Sequence, residues 1–306
     1  VSLWARTADE AKLFTRDGEN KRLLPGYPFP PSLKVTSDPK RAFSGARFIV
    51  LAVPSRTVRS NLGVLKDVSP DLPVIVSVTK GLEQDTGKRM SQVIEEELGE
   101  GVRERLCAMS GPNLSKEVAR GQPTTTVAAA YNEGVALSVQ SLFNSQAFRV
   151  YTNPDVIGVE LGGALKNIIA LGAGMSDGLG YGDNAKAAFI TRGLAEITRL
   201  GVAAGANALT FAGLAGLGDL IATCASPFSR NRYVGEQVAR GRPLREVLDS
   251  MPNVAEGVNT TIAARKLAAG LGVEMPITEL TYKVLFEGLP PKEAVAELMG
   301  RAPRAE

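Results

Sequence analysis

The chain has 306 residues, 44% of them hydrophobic and 22% charged, a composition for a globular protein long enough for two domains and a sizeable core. Its 35 Lys and Arg against 32 Asp and Glu leave a net charge of +3 with the signs interspersed, which excludes a nucleic-acid tract and suits a small anionic ligand. Histidine is absent, so a histidine relay and histidine metal sites are excluded, no metal is expected, and a proton donor must be Lys, Asp, Glu, Tyr or Cys.

Val1-Ser2-Leu3-Trp4-Ala5-Arg6 reads as a short strand running into a loop. With no methionine, leader or hydrophobic element before it, it is expected to be a chain entered part-way. The proline-rich stretch 24–31 (LPGYPFPP) reads as a stiff surface connection. Further strands are expected at 48–53 (FIVLAV), 74–78 (VIVSV), 106–109 and 124–130, separated by segments that include a helix over 88–98. Such alternation implies a largely parallel α/β sheet. Three of these strands run into small or kinked loops, Pro54-Ser55-Arg56, Thr79-Lys80-Gly81 and Ser110-Gly111-Pro112-Asn113. In such sheets ligands bind beyond the carboxyl ends of the strands, so these loops are the first place to look. Cys107 and Cys224 lie far apart with no CxxC spacing, which favours a reducing compartment, by default the cytoplasm.

From Asn153 onward strand signals fade. Helices are expected at 156–176, 185–203, 207–213, 219–223, 229–240, 244–249, 257–271, 277–285 and 291–299, an all-α second half. Asn153-Pro154-Asp155 marks the junction, giving domains 1–154 and 155–306, with Asp155 capping the next helix and a frayed tail at 302–306.

The segment 156–176, VIGVELGGALKNIIALGAGMS, carries only Glu160 and Lys166 as charges. At helical spacing Val159, Gly162, Gly163, Ile169, Ala170 and Ala173 share the stripe on which Lys166 lies. Each interior glycine costs about 1 kcal/mol relative to Ala, so tertiary packing must hold this helix and another backbone must approach it closely. Two readings of Lys166 stand. Its stem packs while its amine reaches water, or the amine itself is stripped of water, which lowers its pKa and fits it to exchange a proton with substrate. The longest uncharged apolar run beside it, 168–175, is short of the roughly 20 residues of a membrane span.

Lys80 follows a buried-looking strand and emerges where it can meet Lys166, each depressing the other's proton affinity; the alternative is a surface loop lysine. Asp219 ends FAGLAGLGDL, whose glycines permit positive φ angles and close backbone approach. It either caps the next helix or accepts hydrogen bonds from a substrate hydroxyl or a lysine. The segment lacks the GK[ST] ending of a P-loop. Ser229-Arg230-Asn231-Arg232 reads as a helix start fit for a phosphate, or as a solvated basic turn. Arg192, Glu196 and Arg199, at i, i+4 and i+7, are expected to form exposed ion pairs.

Taken together, SVTKGLE, SGPNLSKEVARGQPT, the long run YTNPDVIGVELGGALKNIIALGAGMSDGLGYGDNAKAAFITRGLAEITRLG, GLGDL, SRNR and VEMPIT resemble the bacterial and plastid type of NAD(P)-dependent sn-glycerol-3-phosphate dehydrogenase, in order and across essentially the whole chain. The resemblance implies a Rossmann domain followed by an all-helical substrate domain, with the active site in the cleft between them. It implies interconversion of dihydroxyacetone phosphate and sn-glycerol 3-phosphate for phospholipid synthesis, in the cytoplasm or, in a plant, the plastid stroma, by a protein expected to form a homodimer. Lys166 matches the family's proton donor and acceptor, and Lys80 a residue touching both substrate and cofactor. Gly111, Asn113, Asp219, Ser229, Arg230 and Asn231 match substrate positions. Arg6, Ser115, Val254 and Glu256 match cofactor contacts, as does Arg230.

Asn113 stands where many members carry Ser or Thr, which keeps a hydrogen-bonding side chain. The family's opening strand and glycine-rich phosphate loop precede Val1, so the chain as written is expected to bind NADPH or NADH poorly. Arg6, where NAD-specific domains usually place Asp or Glu, favours NADPH with NADH possible. The nearest alternative is a 3-hydroxyacid or ketopantoate-type reductase, against which the phosphate-ready Ser229-Arg230-Asn231 argues. A non-catalytic dinucleotide-binding protein is favoured only by the missing glycine loop.

Overall fold

In the computed structural model, which describes residues 1–68, 73–251 and 254–302, the first half of the chain builds two separate sheets. Of the expected tail, residues 303–306 lie outside the described residues. Strand β1 (Ser2–Trp4) pairs in parallel with β2 (Lys34–Thr36), which was not foreseen in the sequence, with Leu3 opposite Val35. Between them runs α1 (Ala8–Asp17), opened by the Thr7 hydroxyl, which accepts the Glu10 amide at 3.1 Å, and closed by Gly18 at φ 65°. The short α2 (Pro39–Phe43) leads to the larger sheet.

That sheet has five strands in chain order: β3 (Phe48–Leu51), β4 (Val74–Ser77), β5 (Leu106–Ser110), β6 (Thr124–Ala130) and β7 (Phe148–Asn153). The first three are parallel and β7 is parallel to β6, but β6 runs antiparallel to β5. The connection through α5 (Ser115–Ala119) turns back beside the end of β5, and parallel pairing would need a crossover over the sheet. Alternate residues of each strand face opposite layers. Ile49, Ile75 and Leu106 pack on α3 (Val58–Val68) and α4 (Met90–Leu98), whereas Val76, Cys107 and Ala128 pack on α6 (Glu133–Phe143).

The second half is helical: α7 (Val156–Gly178), α8 (Asp183–Ala203), α9 (Ala208–Ala212), α10 (Asp219–Ala225), α11 (Arg230–Ala239), α12 (Leu244–Asp249), α13 (Glu256–Leu271), α14 (Pro276–Phe286) and α15 (Pro291–Met299). Asp155 caps α7 as expected, accepting the Gly158 amide at 2.8 Å, and its second oxygen holds Asn207 and Thr210 beside α9. Helix α7 has no solvent face. Its Leu161, Leu165 and Ile169 pack with α8, α10 and α13, while Leu171 and Met175 pack with α11 and α14. Its glycines serve close approach, as their number suggested. A Cβ on Gly174 would lie 2.8 Å from the Arg232 carbonyl carbon, and one on Gly235 2.8 Å from that of Leu171, so α7 and α11 meet backbone to backbone. At 23 residues with a mean hydropathy of 1.5, α7 is long and apolar enough to cross a membrane, more than the 168–175 run suggested. That window is 89% buried inside the protein, which accounts for its composition.

One expectation is overturned. Glu196 forms no exposed ion pair: it is 1% exposed, and its carboxylate accepts the amides of Ile277 and Thr278 at 2.8 and 2.9 Å and the Thr278 hydroxyl at 2.9 Å. It caps the amino end of α14 from a neighbouring helix. Burial pushes its carboxyl pKa up against those hydrogen bonds.

Candidate active site

The loops after β3, β4 and β5 converge at the carboxyl ends of the parallel strands. Thr79 ties the first two together, donating its hydroxyl to the Val53 carbonyl at 2.8 Å. Lys80 then turns toward the helical half. Its Nζ donates to the Gly111 carbonyl at 2.8 Å, Asn113 Oδ1 at 2.7 Å and Asp219 Oδ2 at 2.8 Å. Gly111 holds φ 156°, and a Cβ there would come within 2.8 Å of Thr126 Cα. Only glycine fits that conformation and that gap. The Asn113 amide is oriented by donating to Thr126 Oγ1 at 3.3 Å, which leaves its oxygen for Lys80.

Lys166 meets the same carboxylate from below. Its Nζ pairs with Asp219 Oδ1 and donates to Thr223 Oγ1 at 2.7 Å, while the Thr223 hydroxyl donates to the Asp219 carbonyl at 2.6 Å. At 5% exposure Lys166 is not a snorkelling lysine. Burial, and then the ammonium of Lys80, lower its pKa to about 8, with Asp219 opposing. Burial raises the Asp219 carboxyl, but the two ammonium groups outweigh it and hold its pKa below the usual range. Two cations sharing one buried anion leave a net positive site, ready for an anionic substrate, with one amine able to hold or release a proton near neutrality.

Asp219 does not cap its helix; it is the first residue of α10, with its side chain committed to the lysines. Nor do Gly213, Gly216 or Gly218 adopt positive φ. Close approach is the operative reason at Gly162, where a Cβ would lie 2.7 Å from the Ala215 carbonyl oxygen. Ser229-Arg230-Asn231 does open a helix: the Ser229 hydroxyl accepts the Arg232 amide at 3.2 Å, capping α11. Asn231 is buried, donating to Asn167 Oδ1 at 2.8 Å and accepting the Gly257 amide at 3.0 Å. Arg230 keeps an exposed flank at the cleft mouth, yet burial lowers its pKa against the charge of Glu256. Glu256 crosses the cleft to Ser55, taking its hydroxyl at 2.6 Å and its amide at 3.2 Å. Val254 is half-buried just before it, and Ser115 is exposed at the start of α5. Arg6 is not part of the lysine cluster. It follows β1 and pairs with Glu10 at 3.0 Å.

Sequence reading missed Thr223 and Asn167 as members of the site, and marked Ser55 only as part of the loop after the 48–53 strand. Thr223 stands four residues after Asp219, one helical turn, a spacing that could have found it. Among the described residues no group of three His, Cys, Asp or Glu is placed to hold a metal.

Parallel strands that deliver their loops to a buried lysine on a helical half, in a chain whose first part matches an NAD-dependent family model, define a class, the two-part nicotinamide-dependent dehydrogenases. Residues 1–136 match the family model described as NAD-dependent glycerol-3-phosphate dehydrogenase N-terminus, and residues 155–296 that of its C-terminus. The chain belongs to this family. It is 53% identical over 301 residues to a glycerol-3-phosphate dehydrogenase [NAD(P)+] of Moorella thermoacetica, covering 98% of this chain and 89% of that one. Identity to the protein of the same name from Chlorobium phaeobacteroides is 50% over 306 residues, covering 100% and 92%. The crystal structure of glycerol-3-phosphate dehydrogenase from Coxiella burnetii superposes with a TM-score of 0.93 at 38% identity, covering 98% and 91%.

Proposed function

We propose that the chain reduces dihydroxyacetone phosphate to sn-glycerol 3-phosphate, reversibly, with a nicotinamide cofactor, and so supplies the backbone of glycerophospholipids. The observation that carries this reading is the buried Lys166 sharing Asp219 with Lys80 at the mouth of the parallel strands. In the reduction Lys166 gives its proton to the C2 oxygen of the ketone, and in the oxidation it takes that proton back. Lys80, its three N–H groups fixed by Gly111, Asn113 and Asp219, adds positive charge beside the carbonyl oxygen and keeps Lys166 acidic. Asp219 orients both amines. The substrate phosphate lies at the amino end of α11, where the Ser229 hydroxyl, the Arg230 guanidinium and the Asn231 amide gather. These groups favour a phosphorylated triose over the carboxylate of a ketopantoate-type substrate.

The nicotinamide, when bound, supplies or accepts the hydride. The donor set at the cleft suits it: the Glu256 carboxylate and Ser55 hydroxyl for ribose hydroxyls, and the Arg230 guanidinium for phosphate, with Lys80, Ser115 and Val254 beside them. Arg6 at the start of α1 favours the 2′-phosphate of NADPH over NADH. The end of the sheet and the Asp155 cap of α7 support a division into a cofactor domain, 1–154, and a substrate domain, 155–306. A homodimer and a cytoplasmic setting complete the reading. Both cysteines are buried and unpaired, which supports a reducing compartment.

The test is Lys166→Met in this protein. Loss of the general acid is expected to slow dihydroxyacetone phosphate reduction by about a hundredfold or more, with binding of NADPH retained. Reduction at the former rate sinks the reading.

A further inference from the structure

Apart from Lys166, one charge lies inside the first five turns of α7: Glu160, whose side chain is 8% exposed. Three donors converge on it from the sheet half of the molecule. The Ser91 amide approaches one oxygen at 2.7 Å, and the Ser91 hydroxyl and Arg89 Nη1 approach the other at 2.5 and 2.6 Å. Ser91 stands in the first turn of α4, so Glu160 supplies that helix with an anionic cap from outside.

Residues 80–89 form the excursion between β4 and α4. Its two legs are joined by the pairing of Leu82 with Arg89 and by the Glu83 amide on the Lys88 carbonyl at 2.9 Å. Both legs are tied to α7. Leu82 is packed into the core with Leu161 and Leu165, and Arg89 and Ser91 are held by Glu160. Two residues before Leu82 the stem of Lys80 passes Gly163, where a Cβ would sit 3.6 Å from Lys80 Cγ. A buried ion pair is a poor source of stability compared with apolar packing of the same volume; what it offers is one fixed arrangement.

We propose that Glu160 is a positioning residue: by gripping the amino end of α4 it sets the Lys80 loop against α7, so that Lys80 and Lys166 reach one Asp219 carboxylate. This rests on the two-lysine reading of the reaction above. Glu160 touches neither amine and acts only through the loop.

The groups facing Lys166 are Lys80 from the loop after β4 and Asp219, Thr223 and Cys224 from α10. Of these only Lys80 is placed by Glu160, so the Lys166 titration reports the proposed link. It is read without turnover, by NMR of ¹³C-labelled lysines in the full chain, with the Lys166 signal assigned from Lys166→Met. In Glu160→Ala the Lys80 ammonium retreats, and the Lys166 titration is expected to move up by about half a pH unit or more. The value of kcat is expected to fall about tenfold, with the KM for cofactor within about twofold of wild type. Lys80→Met moves the titration up by itself, and adding Glu160→Ala to it moves it no further. Glu160→Gln, which retains an acceptor for the Ser91 amide but loses the charge facing Arg89, gives a smaller displacement in the same direction and serves if the alanine variant does not fold. An unmoved titration in a folded Glu160 variant, or a displacement that adds to that of Lys80→Met, overturns the proposal. If Lys166→Met keeps full activity, the reading of the site fails instead, whatever Glu160 does.

Discussion

Lys166 is a lysine whose surroundings have changed its chemistry. A lysine in water titrates near about 10.4, and at neutral pH it is too weak an acid to serve a developing alkoxide well. Burial first, and the Lys80 charge second, bring Lys166 to about 8. The direction of the pH dependence follows. Reduction needs the ammonium, so its rate is full below about pH 8 and falls about tenfold per pH unit above it. Oxidation needs the free amine, so its rate rises about tenfold per pH unit up to about pH 8 and levels off above it. Measuring kcat/KM in both directions from about pH 6 to about pH 10 checks this, and limbs that do not mirror each other count against Lys166 as the shared group. The residue itself was legible: one lysine in a nearly chargeless, glycine-rich helix. Whether its amine reached water was not, because that depends on Asp219 and Thr223, which lie 53 and 57 residues away in the chain.

At the scale of elements, periodicity told which segments are helices better than it told which faces are buried. The spacing of Arg192, Glu196 and Arg199 is that of a solvated stripe, yet Glu196 turns inward to hold the start of α14. A charge pattern on one helix cannot reveal that another helix ends against it. Removing this carboxylate leaves two amides and a hydroxyl buried without their acceptor. Glu196→Ala is therefore expected to lower the free energy of unfolding by about 2–4 kcal/mol, seen as an earlier urea midpoint, with kcat per folded molecule unchanged. A midpoint within error of wild type contradicts the cap. Helix α7 makes the complementary point. Its glycine content announced that backbones come close, but which ones, α11 at Gly174 and the Ala215 carbonyl at Gly162, emerged only when the elements packed.

Across the whole molecule, the proposed cofactor must reach from the two-stranded sheet, where Arg6 stands, to the lysines at the ends of β4 and β5. Arg6 is held by Glu10 alone at the surface, 73% exposed on its own side, a pair worth about 0–1 kcal/mol after solvent screening. Such a guanidinium is easily redirected to a 2′-phosphate. Arg6→Glu is expected to shift the ratio of kcat/KM for NADPH over NADH by about tenfold toward NADH, since it exchanges an attractive for a repulsive charge. An unchanged ratio removes Arg6 from cofactor selection. At the other end Glu256 and Ser55 bridge the cleft, and the strand loops that carry Ser55, Lys80 and Gly111 had been marked together by their positions after predicted strands.

The amino-acid sequence by itself determined the α/β and all-α halves and the loops that gather at the strand ends, since each is written in local pattern; Lys80, Lys166 and Asp219 each kept a structural alternative until the resemblance to a family joined them. The sequence carried no trace of the antiparallel turn of β6, the inward course of Glu196, the external cap that Glu160 provides for α4, or the meeting of Asn167 with Asn231. Those depend on which surfaces meet. Burial and hydrogen bonding between segments far apart in the chain are properties of the packed molecule, and only there does a lysine acquire the environment that makes it an acid.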